Sequence, residues 1–564
     1  MRRATQMILC SSLLGLLVSG CGDAGDAALS AAPPQRPDSY QPVIEEPDLF
    51  RLAGNQLYVQ NPTTGFNIID VTQPTKPRLL GQALGSSGAG GEMYIREASA
   101  LVLLKNNSGG CQILPGFSPI GWQSSSELLI VETADKAHPA VLKRFCLPGK
   151  LITSRTVDDM LYVVQSSPSD VGSRAISIDI SDPRDVKMVQ QLELDAASKE
   201  IKVTPDVIFV AGQTQSSSPR TLLSMVHISP QGALTALGSI ELEGAPQGRF
   251  HMDLHGNQFR IVTYDDNSRE TWLYIVDISD PMNLQVMGQL SNIGKWEQLY
   301  ATRFDGDMAY IVTFRQTDPL WVVSLEDPTN PQIIGELQVP GWSDFIFPRG
   351  ETLLTVGRGD AGGALGISLF DISHSSSPKV LHQITLGDPD AKSEANVDHR
   401  AVTILERKGK NPVLVVPHTA VDWSTDCKLV ERLQLIELQP TQLVPRGFVE
   451  QMGAIRRSMM VAPVLYSISD QEVLAVDIDN LDLPKVSTRV TVGSGAADNP
   501  QAAQYCSDWR NYNEGYGYGY DMHEGGFFMW SCNVDPGRGT ALPPLTVVLG
   551  LIWLGAWAAR RRTR

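Results

Sequence analysis

The sequence predicts an all-β protein: a single β-propeller of about eight blades, with seven to nine allowed. Three observations predict it. A β-prone run that ends in an acidic turn and leads into a second apolar run recurs along the chain, as in "WVVSLEDPTNPQIIGEL" at 321–337. The copies are about 50 residues apart, a spacing typical of stacked supersecondary units. Within each copy, apolar and polar residues alternate over short stretches, as half-buried strands do.

The polar residue that closes the first strand of each copy falls at 70, 132, 179, 227, 277, 324, 371, 437 and 477. Clear examples are "FNIIDVTQPTKPRLLGQ" from Phe66, "AISIDISDPRDVKMVQQL" from Ala175 and "LYIVDISDPMNLQVMGQL" from Leu273. From 132 to 371 the steps are 47 to 50 residues, and the longer steps on either side each contain a loop. One such unit cannot bury its apolar face alone and must stack on its neighbours. Proline in the turn lacks an N–H donor, so the turn punctuates two antiparallel strands. Earlier runs such as "DDMLYVVQS" and "GDMAYIVTF" supply further strands. Three or four strands per unit, repeated eight or nine times, fit a propeller, because radial closure protects the edges that a solenoid or a row of sandwiches exposes. Nine markers do not fix nine blades, since a terminal unit can be shared or incomplete.

The order along the chain is a signal peptide (1–20), a flexible tether (21–47), the propeller (48–492), a glycine- and aromatic-rich stalk (493–540) and a hydrophobic C-terminal segment (541–564). "MRRATQMILCSSLLGLLVSGC" has the basic start, apolar run and small-residue ending of a secretory signal. The tether is small, polar and proline-rich, with too little apolar content to fold. Net charge is −16, with 46 basic and 62 acidic residues. Such a surface repels nucleic acid and anionic lipid, so no nucleic-acid partner is expected.

Three resemblances follow from quoted residues. "MAYIVTFRQTDPLWVVSLEDPTNPQIIGELQVPGWSDFIFP", "GISLFDISHSSSPKVLHQITLGDPDAKSEANVDHRAV" and "IRRSMMVAPVLYSISDQEVLAVDID" resemble a bacterial family of secreted proteins with a C-terminal β-propeller, distant relatives of WD-repeat proteins. The resemblance implies a propeller outside the cytoplasm and no established reaction. Leu17–Val18–Ser19–Gly20–Cys21 resembles the lipobox of bacterial lipoproteins, which implies a lipid on Cys21. Gly22 in place of an aspartate implies no inner-membrane retention. A plain secretory signal with an incidental cysteine is the alternative. "ALPPLTVVLGLIWLGAWAARRRTR", with Cys532 upstream and Arg560, Arg561 and Arg562 in the basic cluster, resembles myxobacterial C-terminal sorting signals. Its long spacer and single cysteine depart from that pattern, and a simple membrane anchor is the alternative. Together these imply a membrane-anchored protein of the bacterial envelope, at the outer membrane or the cell surface.

The sequence lacks the GxSxG, HExxH, P-loop, CxxC and EF-hand patterns. His251 and His255 have HxxxH spacing in a strand-like context, which sets them about 13 Å apart, too far for one metal. No metal or cofactor is expected. "DPDAKSEANVDHRAV" gathers Glu394, Asp398, His399 and Arg400 within seven residues. The His–carboxylate pair can serve as acid and base, and the same residues can instead form a buried network that pins an inter-blade loop. Arg315 and Asp318 in "FRQTDP" can bind a ligand at the channel mouth or pair across a turn. The reading is a binding or scaffolding module for a protein or polysaccharide, with an enzyme of glycan lyase or hydrolase type at the channel as the alternative.

Seven cysteines remain to be placed. Cys10 leaves with the signal and Cys21 is assigned to lipid. Cys111 and Cys146 flank one unit. Cys427 lies in a long insertion near the end of the ring, and Cys506 opens the stalk. The expected disulfides are Cys111–Cys146 and Cys427–Cys506, with Cys506–Cys532 the rival of the second.

Overall fold

In each repeat the alternating runs become four antiparallel strands, lettered A to D from the channel outward, and the acidic turn joins C to D. The computed structural model describes residues 43–493, apart from 84–90, 106–109, 118–123, 167–171, 215–218, 316–317, 340, 360–363, 388–390 and 423–427. Nine such sheets lie among the described residues, at 50–83, 91–148, 150–194, 197–243, 252–290, 298–339, 342–386, 403–451 and 455–491. The protein is therefore a nine-bladed propeller, at the top of the seven-to-nine range. Every one of the nine sequence markers falls in the last two residues of a C strand. Neither terminal blade is shared: blade 1 and blade 9 each hold four strands of their own.

The C–D turn explains its own residues. Asp70, Asp179 and Asp371 each accept from the backbone N–H and the hydroxyl of the residue two further on, Thr72, Ser181 and Ser373, at 2.6 to 3.0 Å. These hydroxyls hold the three carboxyls below the ordinary carboxylate range. Opposite the end of each C strand, the D strand touches the next blade. A Cβ on Gly288 would meet the Pro328 carbonyl oxygen at 2.2 Å, and one on Gly335 would meet the Ser375 carbonyl oxygen at 2.2 Å. Glycine is needed there because the neighbouring blade's turn fills the space of a side chain. Where the glycine is absent, a polar side chain reaches the same turn: Gln190 donates to the Leu234 carbonyl at 2.8 Å, and Thr488 donates to the Thr75 carbonyl at 2.8 Å.

Nine hydrophobic clusters fill the spaces between adjacent blades. One closes the ring, packing Leu57, Val59 and Ile69 of blade 1 against Tyr466, Val473 and Val490 of blade 9. The Tyr466 hydroxyl also donates to the Pro74 carbonyl at 2.8 Å.

Two blades carry a fifth strand. Cys111 and Cys146 form a disulfide with a Cα–Cα distance of 5.2 Å. It holds Gln112–Ile113 in parallel pairing against the outermost strand of blade 2, covering an exposed edge. At the opposite edge of another blade, Ile44–Glu45 pairs antiparallel with Thr156 and Val157 on the innermost strand of blade 3. Residues 43–47 form the end of the expected flexible tether. Instead they lie in the channel, because Glu45, Glu46 and Asp48 find arginines there. Cys21, Cys427, Cys506, Cys532, Arg560, Arg561 and Arg562, with the signal, stalk and C-terminal segment, lie outside the described residues. Among the described residues no helix is long and apolar enough to cross a membrane.

Candidate functional site: the central channel

The innermost strands supply the channel wall, and the N-terminal segment runs along it. Val43 lies at the A–B turn end, where its N–H donates to Asp158 at 3.1 Å and its carbonyl accepts from the Asp158 N–H at 3.1 Å. The chain then climbs past blade 3 to Asp48, whose carbonyl accepts from the Met93 N–H of blade 2 at 2.9 Å. Blade 1 begins two residues later. The segment divides the channel into two unlike halves.

The half bounded by blades 8, 9, 1 and 2 is filled by ion pairs. Arg457 on the innermost strand of blade 9 is 1% exposed and donates to Asp48 at 2.9 to 3.2 Å and to Asp398 at 2.5 Å. Arg400 grips Asp398 through Nε and Nη2 at 2.8 to 3.1 Å and donates to the Pro47 carbonyl at 2.7 Å. Arg456 bridges Glu394 at 2.7 Å and Asp470 at 2.8 Å. Arg51 and Arg96 meet Glu45 at 3.1 and 3.4 Å. Paired guanidinium–carboxylate contacts of this kind are strong because each carboxylate lone pair has a fixed donor.

The sequence-predicted cluster belongs to this network. Glu394 and His399 each open a 3-10 turn on the connection from blade 7 to blade 8, and Asp398 caps the second by accepting from the Arg400 N–H at 3.0 Å. Burial would raise the Asp398 carboxyl, but the Arg400 hydrogen bonds and the Arg457 charge outweigh it and hold the group well below the carboxylate range. His399 sits 3.6 Å from Asp398, edge-on to Phe250 with ring centroids 4.7 Å apart. Burial, with Arg249 and Arg400 nearby, pushes its pKa down to about 4. At neutral pH the pair is an ionised carboxylate locked by arginine and a neutral imidazole against a phenyl ring. Arg315 and Asp318 are elsewhere. Arg315 is exposed on the turn between the second and third strands of blade 6, off the channel wall, and the Asp318 side chain is outside the described residues.

The other half, facing blades 3 to 6, is open. A cavity of about 320 Å³ lies between the N-terminal segment and the A strands. Arg155, Lys202, Arg249 and Arg303 line it, against Glu46 and Asp253. Glu46 accepts from Arg155 at 3.1 Å and from Arg249. Lys202 donates to Asp253 at 3.1 Å. Burial tends to raise the Glu46 carboxyl, yet Arg155 and Arg249 together bring it below its ordinary value. Nearby Glu200 is pushed up to about 7 by burial. The Arg303 guanidinium makes no hydrogen bond or ion pair with any described residue. It lies over the Phe250 ring at 4.8 Å from the centroid, with Arg249 at 5.7 Å from the same centroid. Burial lowers the Arg303 guanidinium from its usual value.

A family model for the beta propeller domain matches residues 39–175 and 174–481. The chain belongs to the beta propeller domain family. Among curated relatives, this beta propeller domain protein is 32% identical over 245 residues to an uncharacterized protein of Archaeoglobus fulgidus. That match covers 43% of this chain and 37% of the relative. It is 38% identical over 153 residues to an uncharacterized protein of Methanocaldococcus jannaschii, covering 26% of this chain and 24% of the relative. The chain thus spans well under half the length of either relative. Among solved structures, a hypothetical selenium-binding protein from Sulfolobus tokodaii is similar at 14% identity and a TM-score of 0.33, covering 64% of this chain and 92% of that one. Sqt1 from Chaetomium thermophilum is similar at 11% identity and a TM-score of 0.37, covering 71% and 94%. Likenesses at this level carry no argument about function.

Several channel residues of the beta propeller domain escape a motif search. Arg456 and Arg457 stand in the quoted "IRRSMM", but no motif marks adjacent arginines on an inner strand. In "GRFHMDLH" the histidines draw attention, whereas Arg249 and Phe250 beside them reach the cavity. His251 is buried, accepts from the Gln247 N–H at 3.2 Å, and is pushed down to about 4 by burial. His255 is half exposed, 3.8 Å from Asp307. Among the described residues no group of histidine, cysteine and acidic side chains is placed to hold a metal ion.

Proposed function

We propose that the protein is a cell-envelope lipoprotein whose propeller binds or scaffolds a protein or polysaccharide partner. One observation favours binding over catalysis: the acid–base candidates of the 394–400 cluster are already committed, which leaves Glu200, pushed up to about 7, as the carboxyl on which the enzyme reading rests. Asp398 is held ionised between Arg400 and Arg457, Glu394 is bonded to Arg456, and His399 is a weak base at about 4. A glycan lyase or hydrolase needs a carboxyl or imidazole free to exchange a proton with substrate near the working pH.

Envelope anchoring rests on Leu17 to Cys21 and on the C-terminal segment with Cys532 and Arg560 to Arg562. Cys21→Ser should abolish palmitate labelling and shift the protein to soluble fractions. Unchanged labelling and fractionation would remove the anchoring claim. Capture of one partner from envelope extracts by the wild type supports the binding claim, whereas turnover of an envelope glycan by the purified protein would favour the enzyme reading.

A further inference from the structure

The open half of the channel carries more positive charge than its own residues neutralise. Four cations and two carboxylates line the cavity in a chain whose net charge is −16. Glu46 is shared by two arginines, and Asp253 serves Lys202. Two guanidinium groups share the Phe250 ring, and only one of them has a carboxylate. Bringing like charges together in a half-buried wall is unfavourable unless an anion joins them. Asp253 and Asp305 lie within electrostatic range of Arg303 but do not contact it. The larger depression of about 760 Å³ between blades 8 and 9 is different: there Arg407 and Arg446 both pair with Glu437, at 3.4 and 2.9 Å.

We propose that the cavity between the N-terminal segment and blades 3 to 6 binds a small oxyanion group, a carboxylate or a phosphate, through the Arg303 guanidinium, with Arg249 on the same phenyl ring and Lys202 on the same cavity wall. Arg303 supplies the fork geometry that such a group accepts in two parallel hydrogen bonds. Arg249 and Lys202 have donors left after their contacts with Glu46 and Asp253. The size suits one acidic sugar residue or one phosphorylated small molecule rather than a folded partner. The inference deepens the binding reading by naming the chemistry its channel recognises.

The test is calorimetric titration of the full chain in detergent with inorganic phosphate and, separately, with glucuronate, against chloride at matched ionic strength. Saturable binding of at least one anion is expected, weakened about tenfold or more in Arg303→Gln by loss of a charge-assisted contact. Tighter phosphate points to a phosphorylated ligand, and tighter glucuronate to an acidic glycan. Lys202→Gln is the second variant, with a smaller weakening, and it carries the test if Arg303→Gln does not fold. Arg349→Gln, which changes an arginine paired with Glu406, is the control and should bind as the wild type does. No saturation beyond chloride, or equal affinity in wild type, Arg303→Gln and Lys202→Gln, overturns the site. Partner capture from envelope extracts reads the scaffold function separately, so the two ideas can fail independently.

Discussion

Arg457 and Arg303 both project from innermost strands, yet they have opposite surroundings. Arg457 is buried between Asp48 and Asp398, with its neighbours Arg400 and Arg456 equally committed. Arg303 rests on a phenyl ring beside a cavity and touches no carboxylate. The same residue type is structural where the N-terminal segment brings acid to it and available where the segment passes on the other side. Glu45 and Asp48 seal one half of the channel. Glu46 is left as the single carboxylate of the segment that faces the other.

The contrast can be broken at several points. Arg457→Ala should give the largest effect, a loss of about 3–5 kcal/mol, because the buried guanidinium between two half-buried carboxylates, Asp48 and Asp398, is removed and only Arg400 is left to hold both. Urea unfolding reads it, and a change under 1 kcal/mol would remove the structural claim for that half. A pH series on His399→Asn comes next. The folded His399 pKa is depressed to about 4 against an unfolded value of about 6.5, so the unfolded chain binds the extra proton first. Its contribution to stability is present above about 6.5 and is lost as pH falls toward 4. The wild type should therefore lose stability relative to His399→Asn across that window. Parallel curves would mean that the ring is solvated. Glu46→Gln sharpens the other half: it frees Arg155 and Arg249, and phosphate or glucuronate affinity should rise a few-fold. An unchanged or weaker affinity would show that Glu46 does not compete with the ligand. The smallest effect belongs to Arg303→Gln in the absence of anion, within about 1 kcal/mol in urea, since only a cation–π contact is lost.

The repeat was legible because strand alternation and proline turns are local. The nine polar markers, such as Asp277 and Asp371, sit at the ends of C strands, and Cys111 immediately precedes the short strand that pairs with the one carrying Cys146 within one blade. Blade number was harder, since no local signal says whether blade 9 borrows a strand. It closes on blade 1 through side-chain packing between Val490 and Ile69, residues far apart in the chain. The cluster of Glu394, Asp398, His399 and Arg400 was visible as a run of charged residues. Its partners were not, because Asp48, Arg456 and Arg457 reach it only once the ring has closed. Arg303 had no signal: a single arginine in "LYATRFDG" looks like any strand residue until Phe250 and Arg249 are set beside it. The tether boundary was missed for a related reason. "VIEEPD" is too polar to fold alone, and it orders only against arginines from other blades.

Hydrogen exchange of the full chain, followed on peptides covering residues 43–49 and Met93, tests the division of the channel most directly. Ile44–Glu45 pairs with the innermost strand of blade 3, and the Met93 amide of blade 2 donates to the Asp48 carbonyl, so the strand amides of this stretch and the Met93 amide should exchange slowly, on the scale of the blade strands themselves. Complete exchange within seconds, at the rate of an unstructured chain, would contradict the account, because a segment free to leave the channel could not separate a sealed half from an open one.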